Sequence, residues 1–215
     1  MQTPNSFTTL FVLISMAMWP LGASAEMQTL RSSDLTGLER VEDTGFLEFY
    51  QNPDLGNFGF TSIYIAPAVN AVAPRYIYEQ SLRPRHIDEL TVDFHARMVA
   101  GFEATGLLTD EPDEDSLVIT PSLTYVTEYD EWTTGTHLGG QRVQDRLRGR
   151  TVMEMTWHAG PGGELVAAFR DGRMPHIYTD VSDREDRFTD ARDSFDAWAG
   201  QFASFFLPEP QDATN

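Results

Sequence analysis

Five histidines, a large stock of carboxylates and no cysteine or lysine define what this chain could do chemically. Without a thiol there is no disulfide, thiolate metal site or cysteine nucleophile. Without lysine there is no Ser-x-x-Lys catalytic pair, and no Gly-x-Ser-x-Gly elbow occurs either. The histidines are His86, His95, His137, His158 and His176, and none stand four apart on a helix as a His-Glu-x-x-His zinc site requires. Glu154, His158 and His176 are the set from which a hydrolase or small-ligand cleft could be built. In sequence, however, Glu154 and His158 simply alternate with Met153, Met155 and Trp157, as the polar side of a strand does.

Two acidic clusters invite a cation reading. Asp110-Glu111-Pro112-Asp113-Glu114-Asp115 falls in a turn, and Asp180, Asp183, Glu185, Asp186 and Asp190 precede a helix. Neither has the spaced oxygens and glycine of an EF-hand loop. For the second, negative charge at a helix N-terminus is sufficient reason. Gly135-Thr136-His137-Leu138-Gly139-Gly140 is glycine-rich but does not join a strand to a helix, so it lacks the geometry of a phosphate cradle and reads as a loop. No motif implies a cofactor or a resident metal.

The stretch from Glu128 to Arg150 is the best candidate for recognition. It carries Tyr129, Trp132, His137, Arg142 and Arg146 with no strong period, and Arg148 and Arg150 follow. Long connections in compact domains are commonly functional, and aromatic and Arg side chains are enriched where proteins meet. In a chain of net charge −18 this is a local basic island. The same charge repels nucleic acid and anionic lipid, which leaves another protein as the expected partner.

The elements that must position these residues follow from periodicity. Phe7 to Ala25 is apolar and ends in Ala23-Ser24-Ala25, the pattern of a cleaved export signal, although Met1 to Ser6 lacks the usual positive charge. Pro20 and Gly22 interrupt the segment before it could span a bilayer, and no cysteine is present to take a lipid anchor. The expected organisation is a signal at 1–25, an irregular packed arm at 26–58, a domain at 59–207 and a disordered tail at 208–215. Phe46, Leu47, Phe49 and Tyr50 would dock the arm. The expected location is the periplasm or the exterior.

Thr61, Ile63 and Ile65 mark a strand within Phe60 to Ala66, and the proline-bracketed stretch after it reads as a loop. Ile87, Leu90, Phe94, Met98 and Phe102 recur at helical spacing between Pro84 and Gly106. Leu117, Ile119, Leu123 and Tyr125 alternate along Ser116 to Thr127, and Pro121 predicts an edge or a bulge there. Arg150 to Trp157 and Glu164 to Arg170 flank Gly160-Pro161-Gly162-Gly163 as a hairpin. Phe195, Trp198, Phe202 and Phe205 or Phe206 form the stripe of a last helix, Phe188 to Phe206. The predicted fold is α+β: a two-layer sandwich with a mostly antiparallel sheet of about four strands and two helices on one face.

Several stretches resemble a bacterial envelope family known as domain of unknown function 3313. They are Gly45-Phe46-Leu47 leading to Asn52-Pro53-Asp54-Leu55, the strand Ile63-Tyr64-Ile65-Ala66-Pro67, and Gly163-Glu164-Leu165-Val166-Ala167-Ala168 with Asp171. The terminal Phe195-Asp196-Ala197-Trp198-Ala199 is similar too, so the resemblance runs over residues 37 to 207. It implies export and this class of fold; many members are lipoproteins, and this chain departs from them in lacking the lipidation cysteine. It implies no activity or catalytic residue. The expected function is thus a non-enzymatic accessory domain that binds another envelope protein, with Glu154, His158 and His176 as the rival hydrolase or ligand-binding set.

Overall fold

The computed structural model describes residues 35–79, 82–127, 136–138, 141–143, 150–173 and 188–207. In chain order the elements are β1 (Glu39–Arg40), β2 (Glu48–Gln51), β3 (Ser62–Ile65), β4 (Val69–Asn70), α1 (Pro74–Glu79) and α2 (Pro84–Phe102). There follow β5 (Ser116–Val126), β6 (Thr136–Leu138), β7 (Gln141–Val143), β8 (Thr151–Ala159), β9 (Leu165–Arg173) and α3 (Thr189–Ala203).

Helices α2 and α3 form where the apolar period put them, whereas α1 falls in a stretch for which no helix was expected. Pro84 opens α2 at its first turn, and Gly106, at φ 67°, ends the short 3-10 extension Glu103–Thr105 in the left-handed region. Ile87, Leu90, Phe94, Met98 and Phe102 are all buried on its inner stripe. Phe195, Trp198 and Phe202 are buried on α3, whereas Phe205, in the 3-10 turn Ser204–Phe206, is half exposed. The two helices approach closely because Gly101 has no side chain. A methyl there would stand 2.6 Å from Ala199 Cβ. Phe94 stacks on Phe195 just beyond this contact, with ring centroids 4.6 Å apart.

The sheet corrects the predicted four-stranded, mostly antiparallel layer. It has seven strands in the order β1-β2-β9-β8-β5-β3, with β4 also on β5, and it is mixed. The run β2-β9-β8-β5 is antiparallel, but β3 and β4 pair with β5 in parallel. The reason lies in the connection. Between β3 and β5 the chain passes through α2, and a helical crossover returns it to the starting end of the sheet. The added strands come from stretches read as irregular: β1 and β2 from the N-terminal arm, β4 from the proline-bracketed loop. Phe46 stacks on Phe202, and Phe49, buried, on Phe169. The arm therefore docks, but Leu47 stays 44% exposed.

Strand β5 is neither at an edge nor bulged at Pro121. It lies between β8 and the β3/β4 pair. The carbonyls of Ile119 and Leu123 accept from Ala66 and Ala71, so the intervening Pro121 faces the break between β3 and β4. No donor is needed there, so proline's missing N–H costs nothing. The bulge comes later, between Leu123 and Tyr125. It reverses the alternation, so Val126 rather than Tyr125 is fully buried, and Tyr125 packs edge-on against Tyr76 at 5.0 Å.

The hairpin β8–β9 forms as predicted, its turn enabled by Gly160 and Gly162 at φ 71° and 68°. Ile63, Ile119, Met155 and Phe169 join α2 and α3 in one core cluster, so both helices cover the same face of the sheet.

Candidate interaction surface

Strand alternation gives the sheet two unlike faces. On the helix side Trp157 meets Phe202 and Phe206, and Phe169 meets Phe202 at 4.9 Å. Polar atoms here are mostly paired. Trp198 Nε1 donates to Asp171 Oδ2 at 2.8 Å, Arg173 Nε reaches the same oxygen at 3.3 Å, and the Arg173 guanidinium lies 5.6 Å from the Trp198 ring. Arg173 also donates to Gln201 of α3. These bonds pin the end of β9 to the last helix. Trp157 Nε1, by contrast, is buried on this side without a hydrogen-bond partner among the described residues.

The other face is not covered by α2 or α3. Val118, Thr120, Ser122 and Thr124 of β5, Glu154, Thr156 and His158 of β8, and Ser62 and Tyr64 of β3 are all partly exposed there. One row crosses the sheet in register: Glu48 opposite Arg170, Arg170 opposite Glu154, Glu154 opposite Ser122. The Arg170 side chain is only 5% exposed. Its Nη1 stands 3.9 Å from Glu48 Oε1 and its Nε 3.7 Å from Glu154 Oε1, both beyond hydrogen-bond reach. Arg170 Nε and Glu48 Oε2 are buried with no hydrogen bond. Desolvating a guanidinium costs several kcal/mol, and its attraction to a carboxylate offsets that only when the geometry is close. This row is therefore poorly compensated beside the tightly bonded helix side.

The predicted site residues are only partly brought together. His137 and Arg142 are cross-strand partners in the small antiparallel sheet formed by β6 and β7. The connection thus contains a hairpin where no period was legible, and the expected glycine-rich loop is partly strand. Tyr129, Trp132 and Arg146 lie outside the described residues. At the root of the connection Arg150 N donates to Thr127 Oγ1 at 2.7 Å and Thr127 N to the Arg150 carbonyl at 2.9 Å, closing the β5–β8 ladder.

The two described members of the rival set do not gather. Glu154 and His158 share a face but stand four residues apart along β8, about 13 Å by strand rise. Glu154 is engaged beside Arg170, whereas His158 Nδ1 donates to the Gly163 carbonyl of the hairpin turn at 3.2 Å. His176 lies outside the described residues.

Of the acidic clusters, Asp113 shapes its own turn, accepting from Ser116 Oγ at 2.6 Å and from Asp115 N at 3.2 Å. In the second cluster only Asp190 is among the described residues. It sits in the first turn of α3, where its charge suits the dipole, while the capping position belongs to Phe188 and carries no side-chain cap. Among the described residues no three His, Asp or Glu side chains are grouped to hold a metal ion.

Arg170 and Glu48 were not singled out by sequence. The available signal was Arg170-Asp171 closing the apolar run Val166 to Phe169, since adjacent charges on a strand must face opposite ways.

Three partly exposed carboxylate–arginine contacts lie away from the sheet. On the helix layer Arg97 binds Asp93 at 3.1 Å and also Asp196, while Arg192 reaches Asp93 at 2.7 Å. Partial burial alone would lower the Arg97 pKa. Hydrogen bonds and charge from Asp196 and Asp93 outweigh that and raise it above the ordinary arginine value. The cluster ties α2 to α3 and stands apart from the row on the sheet.

No family model matches the chain. No curated protein matches it either. Among solved structures, the PelC dodecamer from Paraburkholderia phytofirmans is similar at 9% identity and TM-score 0.40, over 70% of this chain and 90% of that one. A minor lipoprotein from Acinetobacter baumannii is similar at 12% identity and TM-score 0.33, over 67% of this chain and 91% of that one. Identity this low carries no residue correspondence. No helix among the described residues is long and apolar enough to cross a membrane.

Proposed function

We propose that this chain is a non-enzymatic binding domain of the bacterial cell envelope. It uses the helix-free face of its sheet, with the Glu128 to Arg150 connection, to hold another envelope protein. The observation that carries this reading is the contrast between the faces. One face is closed by α2 and α3 over an aromatic core, while the other bears threonines and serine beside the loosely paired row Glu48–Arg170–Glu154. Monomeric sheets bury a face when stability demands it. The partly exposed Thr120, Ser122, Thr124 and Thr156 suit a hydrated or protein-bound surface, beside an undersatisfied guanidinium that is itself buried.

Export rests on the Phe7 to Ala25 signal pattern, with processing after Ala25 and a periplasmic or secreted product. Kinship with domain of unknown function 3313 rests on the Gly163 to Asp171 and Phe195 to Ala199 stretches, and the contact between Asp171 and Trp198 is a physical reason for both to occur in one chain. The partner is a protein rather than a polyanion, because a net charge of −18 opposes nucleic acid and anionic lipid.

The test places a photoreactive residue at Thr120 or Thr156 on the helix-free face, and at Val92 on the outer side of α2, in the full chain expressed in its own host. The expected result is one discrete crosslinked product from the sheet positions, abolished by excess unlabelled protein, and none from Val92. Equal labelling from both sides, or retention of the chain in the cytosol, would overturn the reading.

A further inference from the structure

We draw no further inference here: the strongest candidate, the buried Arg170 guanidinium between Glu48 and Glu154 on the helix-free face of the sheet, already belongs to the surface proposed above, and nothing in the structure shows what would meet its unused donors.

Discussion

The two faces of the sheet are built from the same strands, one residue out of step, and they solve opposite problems. On β9, Phe169 and Asp171 point to the helices and are fully engaged, one by rings and the other by Trp198. Arg170 lies between them in sequence, yet it faces the other way, and among the described residues it has only distant carboxylates. The contrast teaches that burial by itself does not identify a stabilising residue. Asp171 and Arg170 are both buried, but only Asp171 has its charge met at hydrogen-bonding distance. A surface kept for something other than stability is expected to look like the second case.

The largest effect should come from removing an inner-face ring. Phe169→Ala is expected to cost about 3–5 kcal/mol, as for other deeply buried phenylalanines, whereas Thr156→Ala on the outer face should stay within about 0.5 kcal/mol. Denaturant unfolding of the two variants breaks the comparison if their midpoints shift alike.

Trp198→Phe keeps most of the ring but deletes the N–H that meets Asp171. A loss of about 1–3 kcal/mol is expected, because a buried carboxylate oxygen is left with less company. Thermal unfolding followed by far-UV circular dichroism reads this directly. A variant as stable as the parent would show that the bond to Asp171 contributes little.

The outer row offers the converse measurement. Arg170→Met combined with Glu48→Gln removes the buried charge and its neighbour together. Stability is expected to remain within about 1 kcal/mol of the parent, since poorly compensated buried ion pairs are replaceable by apolar groups. A loss as large as that of Phe169→Ala would make this row part of the core and remove the asymmetry.

The smallest effect belongs to the helix layer. Arg97→Ala is expected to cost less than about 1 kcal/mol, with the difference shrinking as salt is added, because its ion pairs are partly exposed. Its raised pKa means that the charge contributes fully below the unfolded-state value and is lost only as pH climbs through the still higher folded value. Unfolding midpoints of parent and variant should therefore differ by a constant amount from mildly acidic to mildly alkaline pH.

How much of this was legible depended on the range of the interaction. The stripes of α2 and α3 and the Gly160 to Gly163 turn are written within a few residues of each other, so periodicity and glycine spacing suffice. The row on the sheet was not legible. Glu48 and Arg170 are brought opposite each other only because β2 adds to β9, and the backbone bonds that do this carry no side-chain signature. Pro121 shows the same limit: its residue type correctly demanded a place without a ladder donor, but the break between β3 and β4 that supplies it is formed by another part of the chain.

By itself the sequence determined the apolar stripes of α2 and α3, roughly where those two helices run, and that no thiol or lysine chemistry is available. Tertiary structure alone decided the parallel pairing of β3 with β5, the reversal of phase after Leu123, and the burial of Arg170 between two glutamates. Local periodicity fixes which way a side chain points on its own strand, but only the assembled sheet determines what stands across from it.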